Sequence, residues 1–181
     1  MTRFAVAALA TLLGAACARS PRPAWTVRKR TVEMPVALTS DAPLERWTVS
    51  IALNDPAAAT IDGLAARGEL FVRARLEPID GGASTAGASV ASKDGRWGAA
   101  TKVVASPGRP GLLTLYAPFD TVRCGAPCVL ECGLDLSLED GPGVTGTFEL
   151  EADLYGPRVP SDRVAPGPTP GIWITAQRSP P

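Results

Sequence analysis

Between Arg46 and Tyr155 the chain repeatedly places apolar residues at every second position. In RWTVSIALN (46–54), Trp47, Val49, Ile51 and Leu53 alternate with Thr48, Ser50 and Ala52. In ELFVRARLEP (69–78), Leu70, Val72, Ala74 and Leu76 fall on one face, and Phe71, Arg73, Arg75 and Glu77 on the other. A strand turns successive side chains to opposite faces, so this rhythm predicts half-buried β-strands. It is most regular after Cys128. There Leu130, Cys132, Leu134, Leu136 and Leu138 share one face, as do Phe148, Leu150, Ala152 and Leu154. Glu131, Asp135, Glu139, Glu149, Glu151 and Asp153 take the opposite face. Two matched arms around Asp140-Gly141-Pro142-Gly143 predict a β-hairpin with one dry and one wet face. A helix would repeat its apolar residues every third or fourth position instead.

Turn chemistry divides the rest. WTVRKRTVEM (25–34) is rich in β-branched residues, as strands are. Asn54-Asp55-Pro56 stops the next strand, and residues 56–67 are expected to form a short helix ending at Gly68. Residues 79–89, IDGGASTAGAS, read as a flexible loop of little bulk. Asp94-Gly95 marks a tight hairpin. Residues 106–111 form a loop before the strand 112–118. Residues 156–170 hold five prolines and read as a linker to a closing strand, GIWITAQ (171–177), whose Ile172, Trp173 and Ile174 are expected to be buried. Eight or nine short strands, with turns about every ten residues, predict a single all-β domain over 25–181. Its expected architecture is an antiparallel β-sandwich, immunoglobulin-like or jelly-roll. Gly and Pro, 18 each in 181 residues, reinforce that choice because both break helices.

The first 16 residues follow a different pattern. Arg3 and the amino terminus are positive, Phe4 to Ala16 is an apolar run, and Gly14-Ala15-Ala16 puts small residues before Cys17. This is the build of a secretory signal. Its 13 apolar residues fall short of the ~20 that a membrane-crossing helix needs. The small residues followed by Cys17 resemble the signal of bacterial lipoproteins, although Gly14 stands where that motif prefers Leu. The resemblance implies a diacylglyceryl group on Cys17. With Ala18 rather than Asp next in the chain, it also implies sorting to the outer membrane of a Gram-negative cell. The competing reading is ordinary signal cleavage after Ala18, which leaves a periplasmic protein. Residues 17–24 would be a lipidated cysteine and short tether. The resemblance stops at Cys17.

Composition narrows the chemistry. The 18 basic and 18 acidic residues balance, which argues against a nucleic-acid partner. There is no histidine, so Ser-His-Asp and Cys-His catalysis and histidine-ligated zinc are excluded. Cys124 and Cys128 bracket Gly125-Ala126-Pro127, a turn-forming segment, and are expected to pair as a disulfide. Cys132 belongs to the apolar face of its strand and is expected to be a buried thiol. A metal held by all three cysteines is not expected, because strand positions four apart lie about 13 Å from each other. No phosphate-binding loop or calcium loop of the usual spacing is present, so no cofactor is expected.

Residues 131–153 carry seven acids and no base, and six of them, Glu131, Asp135, Glu139, Glu149, Glu151 and Asp153, form a candidate face for a cation or a partner. Against it stands the plainer expectation of a solvated strand face flanked by bases such as Arg73 and Arg75. The function that fits these features is a non-catalytic binding or structural module of the bacterial cell envelope. It would be tethered through lipid on Cys17, and its partner would be an envelope protein or glycan. Two alternatives follow from the carboxylates. One is a histidine-free glycoside hydrolase working with paired acids, and the other a calcium-dependent adhesion module.

Overall fold

A computed structural model describes residues 22–23, 26–31, 33–54, 64–124, 128–156, 158–159 and 171–180. The described chain is all β. Eight strands carry the architecture: β3 (Met34–Thr39), β4 (Leu44–Asn54), β5 (Leu64–Pro78), β6 (Ser84–Ser92), β7 (Gly98–Ala105), β8 (Gly111–Cys124), β9 (Cys128–Asp140) and β10 (Gly143–Tyr155). The first sheet runs β3-β10-β5-β8 and the second β4-β9-β6-β7, with every ladder antiparallel. The pairs β3–β10, β4–β9, β5–β8 and β6–β7 are nested like the two sides of one long hairpin rolled over on itself. Its tip is the Ser92–Trp97 turn around Asp94-Gly95, where Gly95 takes a left-handed φ of 70°. This is a jelly-roll β-sandwich.

Two further strands widen the sheets. β2 (Thr26–Arg30) pairs with the far half of β10, in line with β3, so the two lie along one edge of the sheet. Beyond β2, the Thr31 amide donates to the Leu150 carbonyl at 2.8 Å and its hydroxyl accepts from the Leu150 amide at 2.9 Å. β12 (Gly171–Arg178) adds to the edge of β4, which is the expected closing strand. Because it lies at an edge, its side chains are only partly covered. Ile172 and Ile174 are half-buried against the core, whereas Trp173 is exposed, contrary to the burial expected for it. A two-residue pair, β1 (Arg22–Pro23) with β11 (Arg158–Val159), stands apart.

The every-second-residue rhythm holds. Val49 and Ile51 of β4, the alternate residues Leu70, Val72, Ala74 and Leu76 of β5, Leu130, Cys132, Leu134 and Leu136 of β9, and Phe148, Leu150, Ala152 and Leu154 of β10 face the space between the sheets. Trp47 of β4 meets Phe148 of β10 edge-on, ring centroids 5.1 Å apart, and so joins the two sheets.

Four further expectations need correction. The arms 128–140 and 143–155 are not a hairpin: β9 pairs with β4 and β6 in one sheet, β10 with β2, β3 and β5 in the other. The turn at Gly141-Pro142 carries the chain across the core instead of back along the same sheet. Residues 84–89, read as loop, belong to β6. Their small side chains suit a strand hydrogen-bonded on both sides, with Ala86, Ala88 and Val90 in the core. Residues 64–67 of the expected helix are the start of β5, and residues 56–63 lie outside the described residues. Several strands are long, at 11 to 15 residues, where short ones were expected.

Candidate functional site

The outer face of the sheet containing β10 holds most of the polar chemistry. Registers place the side chains in rows. Asp153 of β10 stands opposite Arg28 of β2 on one side and Glu69 of β5 on the other. Glu151 stands between Arg30 and Phe71, and Glu149 opposite Arg73. Glu69 continues to Pro118 of β8, and Phe71 to Tyr116. Antiparallel strands bring directly opposed side chains within reach of one another, so opposite charges here pair across strands.

The pairing is tight. Arg28 donates to Asp153 through Nε and Nη2, both at 2.6 Å, in a two-pronged contact. Oε2 of Glu151 accepts from Arg30 Nη2 at 2.5 Å, Arg30 Nε at 2.9 Å and Arg73 Nη1 at 2.9 Å. Glu149 lies 3.7 Å from both Arg30 and Arg73. Glu151 is 2% and Asp153 4% exposed, because the arginine stems cover them. The Arg73 hydrogen bond, with help from Arg30, holds the Glu151 carboxyl below the usual carboxylate range despite its burial.

Of the six carboxylates singled out in the sequence, only Glu149, Glu151 and Asp153 lie here. Glu131, Asp135 and Glu139 belong to β9 and face outward from the other sheet. Their neighbours are Lys93 Nζ at 2.5 Å from Glu131, Arg46 Nε at 3.9 Å from Asp135 and Lys102 Nζ at 2.5 Å from Glu139. The six therefore form two groups on opposite sides of the molecule. Among the described residues no three His, Cys, Asp or Glu side chains are grouped to hold a metal ion. Cys17 and the side chains of Cys124 and Cys128 lie outside the described residues. In backbone terms Cys124 ends β8 in one sheet and Cys128 opens β9 in the other. Cys132 is a free buried thiol, its pKa pushed up to about 12 by desolvation.

Beyond Asp153 the face opens into a cleft of about 500 Å³, lined by Arg67, Gly68, Glu69, Pro118, Phe119 and Tyr155. A bulge shapes it. The β5–β8 register shifts between Ala66 and Gly68, so two residues of β8 oppose Arg67. Gly68 is required there, because a Cβ would collide with the Asp153 carbonyl and lie 2.7 Å from both Leu154 Cδ2 and the Phe119 ring. Glu69 is clamped by two phenols. Tyr116 donates to Oε1 at 3.0 Å and Tyr155 to Oε2 at 3.3 Å. The hydrogen bond to Glu69 raises the Tyr116 pKa, while burial, then the charge of Glu69, raises that of Tyr155. Tyr116 also leans on Phe71, ring centroids 5.2 Å apart at 47°, and Arg73 covers Phe71 at 5.2 Å.

Sequence reasoning missed this cleft. It placed Arg67 in a helix and gave Glu69 and Tyr116 no role. The only available signal was their place on the polar phase of two alternating strands. No family model matches the chain, and no curated protein or solved structure matches it.

Proposed function

We propose that this chain is an exported, non-catalytic binding module of the bacterial cell envelope, held at the membrane by lipid on Cys17. The N-terminal pattern of Arg3, an apolar run and small residues before Cys17 supports the export and the anchor. The observation that carries the binding role is the cleft beside Glu69. It is concave, of ligand size, partly apolar and furnished with a few convergent polar groups, as small-molecule sites usually are. Strands β5, β8 and β10 of the sandwich line it together with Pro23 of β1, and walls of paired strands suit recognition by a preformed surface. A tether from Cys17 to the β1 strand at Arg22–Pro23 would present such a module within reach of the membrane surface.

The test is expression of the full chain in a Gram-negative host, followed by membrane fractionation and mass spectrometry of the N-terminus. The expected result is an acylated Cys17 as the first residue, in the outer-membrane fraction, with Cys17→Ala released from it. An unmodified N-terminus at Arg19, in the soluble periplasmic fraction, would remove the anchor.

A further inference from the structure

We propose that the cleft and the adjoining Tyr116–Phe71 pair bind a neutral oligosaccharide. This rests on the binding-module reading and names its ligand class. A sugar ring offers hydroxyls that both donate and accept, together with a patch of C–H. A site for it needs fixed acceptors, fixed donors and an aromatic plane, and this face supplies all three.

Glu69 is the fixed acceptor, immobilised by the hydroxyls of Tyr116 and Tyr155. A carboxylate has about four lone-pair positions, so two tyrosines leave room for ligand hydroxyls. Each phenol oxygen can also accept. Arg67 is the donor. It lies opposite Tyr155 and two residues before Glu69, on the same face, and both line the cleft. A planar guanidinium and a planar carboxylate can each meet two neighbouring hydroxyls at once. Tyr116 is the plane. It is 46% exposed, yet held by a tilted contact with Phe71 and at its hydroxyl by Glu69. It stands one row beyond Glu69–Pro118, about 7 Å further along the strands, so a ligand in the cleft continues onto the ring.

The charge on this face selects against ions. Glu149, Glu151 and Asp153 are matched by Arg28, Arg30 and Arg73, so neither sign dominates beside the cleft. A phosphate or an ammonium ligand would gain little from that field. A neutral polyol loses nothing to it.

The experiment is calorimetric titration of the full chain in detergent with tetrasaccharides of β-1,4-, β-1,3- and α-1,4-linked glucose and of β-1,4-linked N-acetylglucosamine. Inorganic phosphate serves as the charged comparison. At least one saccharide is expected to saturate a single site. Glu69→Gln is expected to weaken it about tenfold, the effect of one charge-assisted hydrogen bond. Tyr116→Ala is expected to weaken it by a similar factor through loss of the stacking plane, and Glu139→Gln, on the opposite sheet, to leave it unchanged. Melting curves check that each variant folds. No saturation by any saccharide, saturation by phosphate alone, or an affinity that neither Glu69→Gln nor Tyr116→Ala changes would overturn the proposal. An unlipidated chain that still binds saccharide would sink the anchor and leave this site standing. A lipidated chain that binds none would do the reverse.

Discussion

Replacing Glu151 by Gln tests the electrostatic account of the outer face. The substitution keeps the shape and one carbonyl acceptor but removes the charge at the centre of the network. Glu151 Oε2 accepts three guanidinium hydrogen bonds, with a fourth nitrogen, Arg28 Nε, 3.6 Å from Oε1. A hydrogen bond to a charged group contributes about 1.5–3 kcal/mol when well buried. That range must be discounted here, because the Arg30 and Arg73 side chains remain 55% and 37% exposed and water can replace part of the loss. Glutamine also keeps some of the contacts. The net cost should be about 2 kcal/mol, a fall of about 4–8 °C in Tm for a chain of this size.

The pH dependence has a definite sign. The folded carboxyl of Glu151 lies below its ordinary value of 4.5. Its contribution is therefore present above about pH 4.5 and is lost as pH falls through the lower folded-state value. Urea unfolding of wild type and Glu151→Gln at pH 7 and at progressively lower pH is the assay, with Glu139→Gln as the comparison on an exposed pair. A gap that is large at pH 7 and closes in acid is expected, with no resolvable change for Glu139→Gln. Equal stability of wild type and Glu151→Gln at pH 7, or a gap that widens in acid, would refute the reasoning.

Other consequences are simpler. Leu134 is fully buried at the middle of β9, so Leu134→Ala should cost about 3 kcal/mol in urea unfolding through the cavity it leaves; a cost under 1 kcal/mol would deny it a core position. Gly68→Ala should destabilise by about 2 kcal/mol or more, because its Cβ has no room against Phe119 and Leu154, and an unchanged melting curve would contradict that crowding. Cys132 should resist iodoacetamide at pH 8 in the native chain and react in urea, as read by peptide mass mapping. Native labelling as fast as in urea would place the thiol at the surface.

Alternation along the chain revealed which residues are buried, but not which strands pair. The arms of residues 128–155 carry the same dry phase whether they return as a hairpin or cross between sheets, because either arrangement buries that face. One cue favoured crossing. Pro142 fixes φ near −65°, which excludes the type I′ turn that commonly closes two-residue hairpins. No strand was assigned to residues 35–39, yet they lie in β3, which contains Pro35. It is tolerated because β3 is an edge strand, paired only with β10. The first part of β6, residues 84–89, was taken for a loop because its residues are small. In the sheet Ala86 and Ala88 are buried in the core, while Gly87 lies on the opposite face beside the Ser137 and Glu139 side chains.

The candidate site was less legible still. That Glu151 and Asp153 are buried depends on arginine stems arriving from β2 and β5, strands more than 70 residues away in the chain. The cleft depends on a register shift between β5 and β8, which no local pattern announces.

The sharpest check is of strand partnership around Asp140–Gly143, by cross-strand backbone nuclear Overhauser effects. Contacts are expected from β9 to β4 and β6, with Leu134 beside Trp47 and Val90, and from β10 to β5, with Glu149 beside Arg73. A ladder directly between β9 and β10, with Leu138 opposite Thr145, would contradict the fold and separate the residues that line the cleft.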